Sequence, residues 1–320
     1  VYNTNTLVTA GTVSNSDSVF LGTTIKRNEI ESITFTNDNI VPEGAIGSFN
    51  VGSDTGRTDA IKLWYTAGDT EGLYKVYIGS DNGISSFPGN SRELFRYLSN
   101  MQVIDFNTYV DTSNVTSMYL LFNSCSSLTS LDLSFFDTSS VNTMNSLLSV
   151  CTNLEEVNVS SFDTSNVVSF YGMFSNCTSL KKLDLSNFDT SSITGSGYAR
   201  MFYKCSSLQR LDLSNFVGNP TDMNGMFWLC SNLEYVNLSS LNTENVTNMQ
   251  LLFHLCSKLK YIDIRNFDFT NVTGSGVNGT FNVPKAAEII VKDCAQYNLF
   301  TEKWGTTYTG LRTKNYNTCS

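Results

Sequence analysis

The hydrophobic positions in the middle of the chain return with a period of about 26 residues. Cysteine marks the period most clearly, because the first six of eight cysteines stand at positions 125, 151, 177, 205, 230 and 256, with gaps of 26, 26, 28, 25 and 26 residues. Metal sites need ligands within a few residues of one another, whereas self-similarity at a fixed, longer period is typical of repeat architectures. The pattern therefore indicates an array of stacked repeats.

Each repeat contains two hydrophobic periods. In the copy "LTSLDLSFFDTSSVNTMNSLLSVCTN", Leu131 and Leu133 alternate with polar residues as in a short strand, whereas the apolar positions 141, 144, 147, 148 and 151 recur at helical spacing. Further copies begin at Leu154, Leu180, Leu208, Leu233 and Leu259, and a degenerate copy begins at Met101. The pattern predicts a strand, a turn and a helix in each repeat, with the strands stacked about 4.8 Å apart in one curved parallel sheet.

The segments on either side of the array lack this period. Three runs before it, "IESITF", "IKLWYTA" and "LYKVYIGS", read as strands, and "GDTEG" between the last two predicts a hairpin. After the array, "AAEIIVKD" predicts a strand and "AQYNLFTEKW" a short helix. We expect a β-rich capping domain over residues 1–90, the repeat array over 91–283 and a C-terminal cap over 284–320. Cys294 and Cys319 could form a disulfide or remain free, and the sequence leaves both open.

Composition narrows the function. The formal net charge of −9 and the pI near 4.6 argue against a nucleic-acid partner and against an anionic membrane surface. Only 15% of residues are charged, and Ser, Thr and Asn fill the remaining polar surface, which is typical of secreted proteins. No apolar run is long enough to span a bilayer. We expect an extracellular monomer whose signal peptide is absent or already removed.

The triplet Asp-Thr-Ser resembles the signature around the catalytic aspartates of pepsin-like proteases. It occurs at 111–113, 137–139, 163–165 and 189–191, always after the predicted strand. A catalytic dyad needs two converging aspartates rather than a column, so a turn role explains all four copies. His254 is the only histidine, and its repeat position also holds Asn, Ser, Tyr and Trp. We therefore predict no catalytic residue, no metal site and no cofactor.

The phrase "SFDTSNVVSFYGMFSNC", with Asp163, Thr164, Met173, Phe174 and Cys177, resembles the BspA-like leucine-rich repeat surface proteins of bacteria. The resemblance covers roughly residues 94–283, and "FLGTTIKRNEIESITF" and "LYKVYIGSDNGI" upstream are similar more loosely. It implies a surface-displayed recognition module, associated with adhesion to host or neighbouring-cell proteins and without catalytic residues. Three departures predict a bulge or bend in the array: inserted "TGSG" at 194–197 and 273–276, and "VGNPTD" in place of an Asp-Thr-Ser turn.

Periodicity and resemblance together predict an α/β leucine-rich repeat solenoid of parallel strand-turn-helix rungs with a small β-rich N-terminal domain. In such a repeat the residues between the buried leucines point to the concave face. One column of that face changes from small through charged to aromatic residues, and the next column carries Asp and Asn. Exposed Tyr beside Arg is typical of binding hot spots. The predicted binding residues are Lys182, Asp184, Arg210, Asp212, Tyr235 and Tyr261, with Trp228 on the helix side as a second surface.

Several alternatives stay open at this point. The acidic column could attract a cation or a basic partner group, or it could be a solvated ladder supported by Ser186 and Ser214. The aromatic positions could reflect ordinary surface variation. The expected ligand is an extracellular protein, and a glycan-binding module or a structural spacer such as a phage-tail component are the alternatives. An enzyme would need paired carboxylates outside the array, where Asp54, Asp59 and Asp69 are the candidates.

Overall fold

The computed structural model describes residues 6–9, 11, 13–53, 60–316 and 319. Its regular elements within those residues are short strands, one α-helix, α1 (Cys294–Trp304), and two 3-10 helices, Arg27–Glu29 and Gly274–Val277. The first eight strands are β1 (Ile30–Thr36), β2 (Gly47–Asn50), β3 (Ile61–Ala67), β4 (Tyr74–Ser80), β5 (Ser85–Ser86), β6 (Val103–Asp105), β7 (Val110–Asp111) and β8 (Ser130–Asp132). The other eight are β9 (Glu156–Asn158), β10 (Thr194–Gly195), β11 (Arg210–Asp212), β12 (Asn219–Pro220), β13 (Tyr235–Asn237), β14 (Tyr261–Asp263), β15 (Glu288–Val291) and β16 (Leu311–Thr313).

The N-terminal strands form a five-stranded sheet in the order β2-β3-β4-β1-β6. The predicted hairpin is confirmed, since β3 and β4 pair in antiparallel register. Strand β6 belongs to the degenerate first repeat, and it pairs in parallel with β1 through Ser32 and Val103. The repeat array therefore begins on the edge of this sheet. That this domain acts as a cap stays a prediction. The domain boundaries themselves stay predictions.

The predicted fold class is wrong, because none of the described repeats contains an α-helix and the one helical element of the described array is the 3-10 helix Gly274–Val277. The segments at helical spacing, 118–125, 144–151, 170–177, 198–205, 223–230 and 249–256, are successive turns, which we call the turn ladder. Backbone N–H groups there alternate between two kinds of partner. Phe122 N–H donates to Leu147 O of the next repeat at 2.9 Å, whereas Asn123 N–H donates to Leu120 O of its own repeat at 3.1 Å. Every second hydrogen bond of the turn ladder thus depends on the neighbouring repeat.

Left-handed backbone conformations explain why a helix cannot form. Each turn segment holds residues near φ +60° at two fixed positions: the first includes Ser146, Gly172, Arg200 and Leu251, and the second includes Val150, Asn176, Lys204 and Leu255. Right-handed helices exclude this conformation, and L-residues adopt it at a cost. Consecutive turns also bring side chains three and four residues apart to the same side of the chain. The apolar side chains therefore reach the core at the spacing that a helix would give. The helical periodicity therefore predicted correctly which side chains are buried, but it predicted the wrong backbone conformation.

Identical side chains stack in columns through the core. Phe174, Phe202, Phe227 and Phe253 lie with ring centroids 5.8, 5.4 and 5.1 Å apart in nearly parallel planes. The six repeat cysteines are free and buried, and each thiol donates to a backbone carbonyl of the preceding repeat. Burial raises the pKa of five of these thiols, and that of Cys256 to about 12; the five are Cys125, Cys177, Cys205, Cys230 and Cys256. The column is therefore neutral packing.

Both ends of the array are closed by specific contacts. At the N-terminal end, fully buried Arg27 donates through Nη1 to the carbonyl oxygens of Glu93, Leu94 and Arg96 at 3.3, 3.0 and 2.7 Å. These carbonyls belong to the turn segment before Met101, and those of Leu94 and Arg96 stand where later repeats accept hydrogen bonds from the preceding repeat. At the other end, α1 packs Phe300 and Trp304 on Phe281. Cys294 and Cys319 form a disulfide, so this possibility is confirmed.

Candidate functional site

The parallel sheet of the repeats is not continuous, which corrects the expectation of one curved sheet. Strands β8 and β9 form one pair, and β11-β13-β14-β15-β16 form a separate five-stranded sheet. Between them lies the strand segment of the repeat that begins at Leu180, which is joined to β9 by a single bridge between Glu156 and Lys182. The repeats on either side of the break are the 28-residue and 25-residue copies. The predicted bulge or bend is thus a break in the strand ladder.

The break lies between the repeat with the first insertion and the repeat in which "VGNPTD" replaces the Asp-Thr-Ser turn. The inserted residues of the 28-residue repeat form β10, which pairs in parallel with β12 of the next repeat. Tyr198, which follows the insertion, is fully buried against Phe216, and its hydroxyl donates to Val217 O at 2.9 Å. On the opposite side of the same two repeats the turn ladder remains intact, with Phe202 N–H bonded to Met226 O at 2.9 Å. The two repeats therefore stay joined at their turns and separate at their strands.

A surface cleft of about 850 Å³ occupies the break. We call it the strand cleft; its lining residues include Lys182, Asp184, Ser186, Arg210, Asp212 and Ser214. Four of the six predicted binding residues line it, two on the rim before the break and two on β11. A volume in this range is ordinary for a ligand pocket.

The charges of the strand cleft are fixed by short-range contacts. The Asp184 carboxylate accepts the Ser186 backbone N–H at 2.9 Å, which together with the Ser186 hydroxyl lowers the pKa of Asp184. The Asp212 carboxylate accepts the Ser214 N–H at 3.2 Å and the Asn237 side-chain amide at 3.1 Å. The proposed support by serines is thus present through their backbone groups. Both carboxylates remain exposed, so each can also meet a ligand.

The two other predicted residues extend the site along the sheet. The guanidinium carbon of Arg210 lies 3.4 Å from the centroid of the Tyr235 ring. Tyr235 in turn stacks on Tyr261 with centroids 4.9 Å apart and planes 6° apart. The Tyr261 hydroxyl donates to Asp263 at 3.2 Å, and burial, followed by the charge of Asp263, raises the pKa of Tyr261 to about 12. The cation and the two rings form a pre-ordered arm beside the strand cleft.

Sequence reasoning missed one cluster on the turn ladder. Trp228, suggested as a second surface, lies between Tyr203 and His254 with ring centroids 4.8 and 6.3 Å away. Lys204 places its ammonium 5.3 Å from the Tyr203 centroid. The sequence did contain a signal for this cluster, because the three rings occupy the same position in consecutive repeats. His254 was interpreted as an ordinary surface residue because that position also accepts Asn and Ser.

The catalytic alternatives find no supporting geometry among the described residues. The Asp163 carboxylate accepts the backbone N–H and hydroxyl of Ser165 at 3.0 and 2.7 Å, as a turn residue does. Asp69 pairs with Lys75 at 2.6 Å, while Asp54 and Asp59 lie outside the described residues. Within the described ranges no group of three or more His, Cys, Asp or Glu could hold a metal, and no helix has the length and hydropathy to cross a bilayer.

Fold and site together define a class: stacked turn-and-strand repeats, capped at both ends, that carry a polar cleft on their strand side. Comparison with known families makes the assignment more specific. The family described as "Mycoplasma protein of unknown function, DUF285" matches residues 90–216 and 196–306, and the chain belongs to this bacterial family. No curated protein matches the chain.

Proposed function

We propose that this chain is a non-enzymatic recognition protein of the bacterial cell surface that binds a protein of a host or a neighbouring cell. The observation that carries the proposal is the strand cleft with its adjoining arm. Lys182, Asp184, Arg210 and Asp212 offer both signs of charge at the break, and Tyr235 and Tyr261 extend them as a stacked apolar platform. Arg and Tyr in one pre-ordered cluster are the residue types that dominate binding energy in protein interfaces.

Two further observations support this function and an extracellular location. The resemblance of the repeats to BspA-like surface proteins implies a recognition role. The disulfide between Cys294 and Cys319 favours an oxidising compartment, because such bonds rarely persist where thiols are kept reduced. We propose that the chain acts as a monomer, without a cofactor and without nucleic acid.

A glycan is the second candidate ligand, favoured by the cluster of Tyr203, Trp228 and His254. These three side chains are partly exposed and lie on the turn ladder, away from the strand cleft. Aromatic side chains with a polar group can contact a sugar through both its apolar face and its hydroxyl groups. The two ligand classes therefore predict different faces of the molecule.

The test is a binding screen of the purified chain against extracellular-matrix proteins and glycans. The double variant Tyr235→Ala/Tyr261→Ala removes the arm, Trp228→Ala alters the turn-ladder cluster, and Tyr171→Ala removes an exposed tyrosine elsewhere as a matched control. We expect saturable binding to a protein, lost in the double variant and kept in the other two. If only Trp228→Ala loses ligand binding, the result would support glycan binding at the turn-ladder cluster instead. Binding to nothing by any folded variant would favour a structural spacer.

A further inference from the structure

The strand cleft differs in its backbone from the two repeat contacts that flank it, although β6 and β8 at the start of the described array are likewise not paired with each other. Before the break, Glu155 N–H donates to Thr129 O at 2.8 Å, and after it Glu234 N–H donates to Gln209 O at 2.8 Å. The corresponding pair across the break is the Gln209 N–H and the Lys181 carbonyl. Among the described residues, no backbone hydrogen bond joins segment 181–185 to segment 209–213. Both rims thus expose peptide groups that the flanking repeats pair with one another.

The core beneath the break is also less covered than elsewhere. The inward leucine of β11, Leu211, is 1% exposed, and its counterparts Leu131 and Val157 are 4% and 9% exposed. Leu183, at the same position in the repeat before the break, is only partly buried. An incoming segment would therefore gain apolar contact at the floor of the strand cleft as well as hydrogen bonds at its rims.

The charges of the two rims repeat with the period of a strand. Each rim presents a basic residue followed two positions later by an acidic one: Lys182 and Asp184 on the first rim, Arg210 and Asp212 on β11. Residues two apart on a strand share a face, at about 6.6 Å spacing. A parallel strand with an acidic residue at one position and a basic residue two positions later would match both rims in sign.

We propose that the strand cleft binds an extended peptide segment of a partner protein by strand addition. The segment runs parallel to β11, pairs its main chain with the open peptide groups of the rims and carries an acidic residue followed, two positions on, by a basic one. Main-chain pairing supplies affinity in this mode, and alternate side chains supply selectivity. The proposal rests on the proposed function, since it names how the same site would take its protein ligand.

Turn-side contacts keep the strand cleft ready for such a segment. The β10–β12 pair and the hydrogen bond from Phe202 to Met226 hold the two repeats together behind the opening. The Asn215 side-chain amide donates to Leu185 O at 2.9 Å and to Phe188 O at 2.8 Å, which fixes the end of the first rim. A pre-formed opening spares the ligand the cost of separating two paired strands.

The experiment measures fluorescence anisotropy of labelled seven-residue peptides titrated with the full chain. All peptides have valine and threonine in alternation, and four carry Asp-then-Lys, Lys-then-Asp, Asp-Asp or Lys-Lys at the third and fifth positions. We expect saturable binding, with the Asp-then-Lys peptide about fivefold tighter than the Lys-then-Asp peptide. Methylation of the central backbone nitrogen should weaken it at least tenfold, because one ladder donor is lost.

The protein variants assign the binding to the rims. Lys182→Glu/Arg210→Glu makes all four rim charges acidic, so the Lys-Lys peptide should become the tightest ligand. Lys258 is an exposed lysine outside the strand cleft, and Lys258→Glu should leave the peptide preference unchanged. Equal binding of the backbone-methylated peptide would overturn strand addition. Failure of every peptide, with a protein ligand from the screen still bound through Tyr235 and Tyr261, would overturn the inference and leave the proposed function standing. Failure of both peptides and proteins would overturn both.

Discussion

Gly172 offers a direct test of the turn ladder against the helix that the sequence predicted. It lies in the turn segment 170–177 at φ +60°, and its N–H donates to Ala199 O of the next repeat at 3.0 Å. A Cβ added there would lie 3.3 Å from the Ser146 hydroxyl oxygen and 3.7 Å from Ser175 Cβ. Space is therefore tight but sufficient, and the backbone conformation decides the effect of Gly172→Ala.

The two structures predict opposite signs. An L-residue in the left-handed region costs about 1 to 2 kcal/mol, so Gly172→Ala should destabilise the protein by about that amount. In a helix the same change would stabilise it by about 1 kcal/mol. The reciprocal change is Arg200→Gly, at the equivalent position of the next repeat, where exposed Arg200 has φ +56°. It should gain about 0.5 kcal/mol in the turn ladder and lose about 1 kcal/mol in a helix.

Urea unfolding followed by circular dichroism measures both differences, and thermal unfolding should show a Tm about 2 to 4 °C lower for Gly172→Ala. Tyr171→Gly is the control, because Tyr171 is exposed and lies next to Gly172, outside the positive-φ set. Glycine there should cost about 0.5 to 1 kcal/mol in either structure. A stabilised Gly172→Ala together with a destabilised Arg200→Gly would refute the turn ladder.

Two further predictions test the chemistry of the repeats. Under reductant, iodoacetamide should modify only Cys294 and Cys319 in the folded chain, because the six repeat thiols are buried. The reduced protein should lose about 3 kcal/mol of stability, and labelling of all eight cysteines before unfolding would contradict the prediction. The hydrogen bonds from Ser165 lower the pKa of Asp163, so its stabilisation is complete above about pH 3.9 and is lost as pH falls through the lower folded-state value. Asp163→Asn keeps the acceptor oxygen but cannot be protonated in this range. The melting temperature of the variant should therefore fall less between pH 5 and pH 2 than that of the parent. Equal falls in melting temperature would contradict this role of Asp163.

The strands could be predicted because alternation reports directly on which side chains are buried. Arg210–Asp212 and Tyr235–Asn237 follow the L-x-L pattern, and the observed register places Arg210 beside Tyr235 and Tyr235 beside Tyr261. The column of predicted binding residues depends only on this register. Lys182 and Asp184 continue the same columns on the other side of the strand cleft, across which no pairing of the described strands sets the register.

The turn segments could not be predicted in the same way, because two backbones give one hydrophobic spacing. Consecutive turns and a helix both bring residues three and four apart to the core. The distinguishing signal is the left-handed position, and glycine marks it at Gly172, Gly225 and Gly279. Leu120 and Arg200 occupy the same position in other repeats and conceal it. Hydrogen bonds to the next repeat offset the cost of placing an L-residue in the left-handed conformation. The sequence of one repeat does not show these hydrogen bonds, because they depend on its neighbour.

The break in the strand ladder shows how this architecture separates stability from recognition. The phenylalanine column and the turn-ladder hydrogen bonds continue across the break, through Phe174, Phe202 and Phe227. Only the strand side opens, where the repeat lengths change from 28 to 25 residues. Because the charged residues of the strand cleft contribute exposed side chains rather than core contacts, their substitution removes little buried area. The sequence of the cleft is thus free to follow a ligand, while the columns behind it keep the repeats together.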